Sequence, residues 1–222
     1  MKPWELIDTT QVPGSETELR LMRHDRDFYF RLGQTELMSS RVHGSEEVLA
    51  EAAIEAAKPG PKARVLVGGL GMGYTLARVL EHIGPQAKAI VYELVPAVIE
   101  WNRTHLADLA GRPLDDPRVE LIEGDVVPAI RNAQDAFDVI LLDVDNGPEG
   151  LTHEDNERLY SRPGLAAARR ALRPGGILAV WSTHLEESFT KRLRGVGFSV
   201  DIRRVKARIT KGPRRTIWLA KR

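Results

Sequence analysis

The chain has 222 residues, 42% of them hydrophobic, and no cysteine. That is enough apolar material for one cored domain, or one domain with a small appendage, and the missing thiols exclude disulfides, cysteine–zinc sites, iron–sulfur clusters and thiol nucleophiles. Lys and Arg number 32 against 31 Asp and Glu, a net charge of +1 that speaks against a dedicated nucleic-acid binder.

No apolar run approaches the ~18 residues that span a bilayer. The opening MKPWELIDTTQVPG has neither the basic end nor the apolar centre of a secretion signal. A soluble, cytoplasmic protein with no membrane partner is the expectation. The overall neutrality hides an asymmetry: residues 191–222 hold twelve Lys and Arg and one acid, Asp201, whereas the first 190 residues hold 20 bases and 30 acids.

Three short strand patterns come first, at Glu18–Arg23, Phe28–Leu32 and Thr35–Met38, with turns between them; they predict a small antiparallel meander. Ser45 reads as the N-cap of an Ala-rich, acid-led helix over Glu46–Lys58. Pro59-Gly60-Pro61 ends that helix. The pattern then alternates. Strands are predicted at Ala63–Val67, Ala87–Tyr92, Val119–Ile122, Phe137–Leu142 and Ile177–Trp181. Helices are predicted at Tyr74–His82, Pro96–Leu106, Val126–Ala133, Pro163–Leu172 and Leu185–Arg194, with a helical turn near Asn156–Tyr160 and a break at Pro174-Gly175-Gly176. Phe198–Ile209 and Thr216–Ala220 close the chain as a strand pair. Repeated βα units predict an open, mostly parallel sheet with helices on both faces. Such sheets bind ligands at the carboxyl ends of their strands.

The first of those ends is Gly68-Gly69-Leu70-Gly71-Met72-Gly73, a glycine loop between a buried strand and a helix. Glycines let the backbone take positive φ and approach a ligand closely, and the helix start behind them adds oriented N–H groups. The spacing is G-x-G-x-G at Gly69, Gly71 and Gly73. A dinucleotide loop would need a small residue where Tyr74 stands, and the Gly-Lys-Ser/Thr end of a P-loop is missing. The second strand ends at Glu93, where a carboxylate can accept two ribose hydroxyls; a solvated loop acid is the alternative. The third ends at Glu123-Gly124-Asp125-Val126, where Asp125 can accept from an adenine amino group or cap the next helix, or do both. Together these predict an adenosine site without a pyrophosphate.

At this point the chain resembles a known family: the class I S-adenosylmethionine-dependent transferases, and within them the spermidine-synthase-like group. The resemblance is carried by VLVGGLGMGYTLARVLEH (65–82), YELVPAVIEWNR (92–103), VELIEGDV (119–126), FDVILLDVDNGP (137–148) and the stretch from Tyr160 to Pro174-Gly175-Gly176. It implies an α/β fold, a Rossmann-like seven-stranded sheet with an antiparallel last pair over residues 45–222, behind a small β appendage over residues 1–44. It implies Glu93 on the ribose and Asp125 and Val126 on the adenine. The cofactor-binding set is completed by Gly69, Gly71, Met72, Gly73 and Asp143, with S-adenosylmethionine or its decarboxylated form as the cofactor. By position, Asp143 matches the acid that family members use near the attacking amine, and Tyr160 a tyrosine that can position the substrate; loop capping and core packing are the respective alternatives. A homodimer is implied as well.

Two departures bear on the reaction. The glycine-loop Asp that holds an aminopropyl ammonium in spermidine synthases is Met72 here, and an apolar side chain suits a different donor tail. The family's Tyr-x-Glu signature is also absent from Val42-His43-Gly44-Ser45-Glu46-Glu47. The sequence therefore favours methyl transfer to a small amine-type acceptor. Aminopropyl transfer from the decarboxylated donor is the first alternative, and a non-catalytic nucleoside-binding or oligomerising module the second. The acids of the body, Glu93, Asp125, Asp143 and Asp145, would draw a cationic amine. The six scattered histidines predict no metal site. The basic C-terminal segment reads as protection of exposed sheet edges, away from the cofactor end of the first strands, with docking of an acidic partner as the weaker alternative.

Overall fold

A computed structural model describes residues 3–14, 17–142, 158–206 and 214–222. Four antiparallel strands come first: β1 (Trp4–Gln11), β2 (Glu18–His24), β3 (Asp27–Leu32) and β4 (Thr35–Ser39), in the order β1-β2-β3-β4. Helix α1 (Gly44–Ala57) follows. Then come β5 (Arg64–Gly68), α2 (Tyr74–His82), β6 (Lys88–Glu93), α3 (Pro96–Arg103), a 3-10 turn at Pro113–Asp115, β7 (Val119–Glu123), α4 (Val126–Asn132) and β8 (Phe137–Leu142). The chain continues through α5 (Arg162–Ala171), β9 (Leu172–Ser182), α6 (Glu187–Gly195), β10 (Ser199–Lys206) and β11 (Arg214–Lys221).

The second sheet has seven strands in the order β10-β11-β9-β8-β5-β6-β7. Strands β5 to β9 pair in parallel, and β11 lies antiparallel between β9 and β10. The α/β fold with a separate N-terminal antiparallel sheet is the one the sequence predicts. Strand order reverses at β5 and β8, which makes their carboxyl ends the expected binding crevice.

Burial explains the pattern. Val65, Leu66 and Val67 of β5 and Val139 through Leu142 of β8 are wholly buried, as strands covered on both faces require. Alternate residues divide between two layers. Val65, Val67, Val139, Leu141, Ala179 and Ile217 face one layer, which also takes Leu49 of α1, Leu76 of α2 and Leu21 and Phe30 of the small sheet. Leu66, Ile140, Leu178, Val180 and Trp218 face the other, with Ile130 of α4, Leu165 of α5 and Phe189 of α6. The small sheet thus shares a core with the large one. Phe30 meets Trp101 of α3 with ring centroids 5.4 Å apart, and the Trp101 indole donates to Asp8 at 2.7 Å.

Some expectations change. Strand β1 was not predicted; its residues are exposed or half-buried, so no hydrophobic alternation marks it. Ser45 is not an N-cap. The helix starts at Gly44 after His43, whose carbonyl accepts from the Glu46 and Glu47 amides, and Ser45 is buried in the first turn. Helix α3 stops at Arg103 rather than Leu106, because Thr104 leaves helical geometry and its hydroxyl donates back to the Glu100 carbonyl at 2.8 Å. Pro174-Gly175-Gly176 lies inside β9 instead of before it, where the pairing with β8 shifts register. A Cβ on Gly176 would sit 2.9 Å from the Arg173 carbonyl and 3.0 Å from that of Asp138, so the irregular strand needs glycine there.

Candidate functional site

The glycine loop leaves the carboxyl end of β5, and Gly69, Gly71 and Gly73 all have positive φ, at 88°, 54° and 85°. This is the conformation that glycine alone adopts at no cost. Gly73 is the N-cap of α2. The loop is closed from two sides: a Cβ on Gly71 would lie 2.9 Å from Cε of Met38 on β4, and one on Gly73 would lie 3.1 Å from Oδ1 of Asn102 on α3.

Glu93 ends β6 beside this loop and is buried at 7% exposure. Its Oε2 accepts from the Leu70 amide and its Oε1 from the Val95 amide, both at 2.9 Å. The Gly69 amide donates to the Tyr92 carbonyl at 2.9 Å, and the Gly124 amide to the Glu93 carbonyl at 2.8 Å. The buried carboxylate ties the glycine loop after β5 to the turn after β6, and the Glu93 backbone carbonyl ties β6 to the end of β7. A carboxylate has about four acceptor directions, so two amides and two ribose hydroxyls are compatible on one group.

Asp125 follows β7 as the N-cap of α4, its carboxylate accepting from the Val127 amide at 2.8 Å. Its side chain is exposed, and Val126 beside it is buried. The capping role is therefore present, and the exposed carboxylate can also meet an adenine amino group. Gly69, Gly71, Gly73, Glu93, Asp125 and Val126 are brought together at adjoining strand ends. A positive-φ loop, a buried acid and an exposed acid beyond it thus share one end of the sheet, where the sequence predicts an adenosine.

The other predicted residues fall differently. Met72 is 2% exposed and belongs to the core layer beneath the loop. No ionisable side chain lies between Gly68 and Gly73. Asp143 and Asp145 lie outside the described residues. Tyr160 is 1% exposed, packed edge-on against Phe189 with centroids 5.6 Å apart. Among the described residues no group of three or more His, Asp or Glu could hold a metal ion, and no helix is long and apolar enough to cross a membrane.

Three features escaped the sequence reading. Asn102 is buried and its Nδ2 donates to the Gly71 carbonyl at 2.8 Å and to the Val98 carbonyl at 2.9 Å, bracing the loop from α3. His43 stacks on Tyr74 with ring centroids 4.1 Å apart, and its Nδ1 lies 3.0 Å from Glu47. Burial, and then the charges of Glu46, Glu47 and Asp27, push the Tyr74 phenol up to about 12, so it stays protonated at neutral pH. Third, Arg215, a member of the basic C-terminal segment, reaches the carboxyl end of β9 and lies over the Trp181 ring at 5.4 Å. Of the same segment, Arg203, Arg204 and Lys206 lie on β10, the outer strand of the large sheet.

Residues 43–193 match the spermine/spermidine synthase domain model. A polyamine aminopropyltransferase of Korarchaeum cryptofilum is 31% identical over 130 residues, covering 59% of this chain and 37% of that protein. Putrescine N-methyltransferase 2 of Nicotiana attenuata is 34% identical over 122 residues, covering 54% of this chain and 30% of that one. The matched segments thus span about a third of these relatives. A crystal structure of spermidine synthase in complex with the transition-state analogue AdoDATO superposes with a TM-score of 0.75 at 23% identity, covering 97% of this chain and 72% of the other.

Proposed function

The chain belongs to the spermine/spermidine synthase domain family, and on that premise we propose that it transfers an alkyl group from an S-adenosyl sulfonium donor to a small amine-type acceptor. The observation that carries this reading is the Glu93 knot: a buried carboxylate joining the glycine loop to the turn after β6, a backbone carbonyl joining β6 to the end of β7, and Asp125 one strand further on. That array holds an adenosine and leaves the neighbouring ends of β8 and β9 for an acceptor.

When bound, the donor supplies an electrophilic carbon on a sulfonium, with a neutral thioether as the leaving group. The chain must do two things. It must place the acceptor nitrogen in line with the breaking carbon–sulfur bond, and it must take the proton that an amine carries at neutral pH. The family resemblance assigns the proton to Asp143, and substrate positioning to Tyr160. The nitrogen forms the new bond to carbon, the old bonding pair stays on sulfur, and the ammonium proton passes to the carboxylate and on to water.

The aminopropyl group is the first reading of the cargo, because the archaeal relative is an aminopropyltransferase. This reverses the order that the sequence favours. Methyl transfer is the second reading, supported by Met72, by the lack of an acid between Gly68 and Gly73, and by the putrescine N-methyltransferase match. Calorimetry with S-adenosylmethionine and with its decarboxylated form decides between them. Tighter binding of the decarboxylated donor supports aminopropyl transfer, and tighter binding of the intact donor supports methyl transfer. Binding of neither would sink the enzyme reading and leave a non-catalytic module. Asp143→Asn should abolish turnover while sparing donor binding; unchanged turnover would remove Asp143 from the mechanism.

A further inference from the structure

Resting on that reading, a further inference concerns the acceptor. Register places it. Gly68 of β5 pairs with Leu142 of β8, and Leu142 with Val180 of β9. Trp181 is therefore one residue beyond the level of Gly68, where the glycine loop begins, and two strands away, about 10 Å across the sheet at ~4.8 Å per strand. Trp181 packs on the α1 side of the sheet, as do Ile217 and Leu219 of β11. Arg215 stands two residues before Ile217 and shares that face.

The guanidinium of Arg215 lies over the Trp181 ring, its Cζ 5.4 Å from the centroid. Arg215 Nε and Trp181 Nε1 are both buried, and neither has a hydrogen-bond acceptor among the described residues. No carboxylate forms an ion pair with Arg215 among them either; Glu46, in the first turn of α1, attracts it only at longer range. Burial lowers the Arg215 pKa from its ordinary value, a mark of desolvation without full compensation. Buried donors are satisfied in the great majority of cases. Two unmet N–H donors on stacked side chains, one of them cationic, are groups that a planar anion can satisfy.

We propose that the amine acceptor carries a carboxylate, and that Arg215 and the indole N–H of Trp181 receive it. The acceptor class is then an amino-acid-type diamine. Its carboxylate sits at the β9–β11 end and its nucleophilic amine lies toward β8 and β5. A plain polyamine would set a cation against Arg215. The glycine loop and Glu93 are untouched by this assignment, so donor binding and acceptor choice are separable.

The test uses two acceptors that differ only in the carboxylate, ornithine and putrescine, with wild-type protein, Arg215→Met and Arg215→Lys. Calorimetry first establishes which donor form binds. Acceptor binding to the donor-loaded protein and turnover are then measured for both diamines. The expected result is at least a tenfold preference of the wild type for ornithine. Arg215→Met should lose at least tenfold on ornithine while putrescine is unchanged or improved, because the opposing cation is gone, Arg215→Lys should keep part of the preference, and donor affinity should be the same in all three. A wild-type preference for putrescine, or an equal loss of both diamines in Arg215→Met, would overturn the acceptor assignment and leave the transferase reading standing. Absence of donor binding in the wild type would overturn both.

Discussion

The carboxylate of Glu93 accepts the backbone N–H of Leu70 at 2.9 Å, across the gap between the end of β6 and the glycine loop after β5. Its second oxygen takes the Val95 amide at the same distance. One buried side chain therefore fixes two turns that would both face an adenosine under the proposed function. Glu93→Gln preserves shape but presents an amide NH2 to one of the two N–H donors, whichever way it turns. A buried donor left unmet costs about 1–3 kcal/mol. The variant should lose about that much in denaturant unfolding, and its donor affinity should fall at least tenfold. Wild-type donor affinity in Glu93→Gln would show that the knot does not shape the site.

Asn102 tests the same loop from the other side. Its amide donates to the Gly71 carbonyl, where backbone φ is 54°, and to Val98 in its own helix. Asn102→Leu fills similar volume and removes both bonds. The loop then loses its brace but keeps its glycines, so the donor dissociation constant should rise about tenfold, near 1.4 kcal/mol, and stability should fall by about 1–3 kcal/mol. A variant that is destabilised yet binds donor normally would confine Asn102 to a packing role.

These two side chains also show what a sequence can reveal. Glu93 was legible because its place at the end of a strand, after a glycine loop, has a chemical meaning that survives without coordinates. Asn102 was not. It lies 31 residues from the carbonyl it supports, and a polar residue on an amphipathic helix reads as solvated until the partner turn folds over it. Arg215 was hidden for a related reason. The meaning of a basic segment depends on which of its residues turn inward, and that follows from the pairing of Ile217 with Trp181. The mostly parallel sheet was readable from its apolar strands alternating with helices, above all β5 and β8, and its seven strands from the family resemblance. The first strand of the small sheet was not, because an edge strand with no fully buried residue carries no hydrophobic period.

The contact between the small sheet and α3 has a pH signature. The Asp8 carboxyl lies below its ordinary value of 3.8, chiefly through the Trp101 indole and then the Thr9 amide. A depressed folded pKa adds stability above the unfolded value, and that stability is lost as pH falls through the folded one. Asp8 is exposed, so solvent screening keeps the contribution small. Melting temperatures should be insensitive to Trp101→Phe in their slope between pH 5 and 7. Below pH 4 the wild type should lose stability more steeply than the variant, because the variant has already lost the indole bond. Parallel acid limbs would mean that Asp8 gains nothing from Trp101.

The opposite core layer offers a sharper measurement. The Trp218 indole on β11 donates to the Thr190 hydroxyl on α6 at 2.8 Å, with both residues buried, and that hydroxyl donates in turn to the Glu186 carbonyl at 3.2 Å. Phe189 stands edge-on to Trp218, with centroids 5.0 Å apart. Thr190→Val keeps the shape and strands the indole N–H, at a cost of about 1–3 kcal/mol, or roughly 2–4 °C in melting temperature per kcal/mol for a chain of this size. Thr190→Ser retains the acceptor and should lose less. In the double-mutant cycle with Trp218→Phe the penalty of Thr190→Val should shrink, because no indole N–H remains to be stranded, giving a coupling of about 0.5–3 kcal/mol. Donor binding should be unchanged throughout, since this bond lies on the far face of the sheet from the glycine loop's supporting helix. Additive penalties would assign the loss to altered packing around Phe189 instead of to the hydrogen bond.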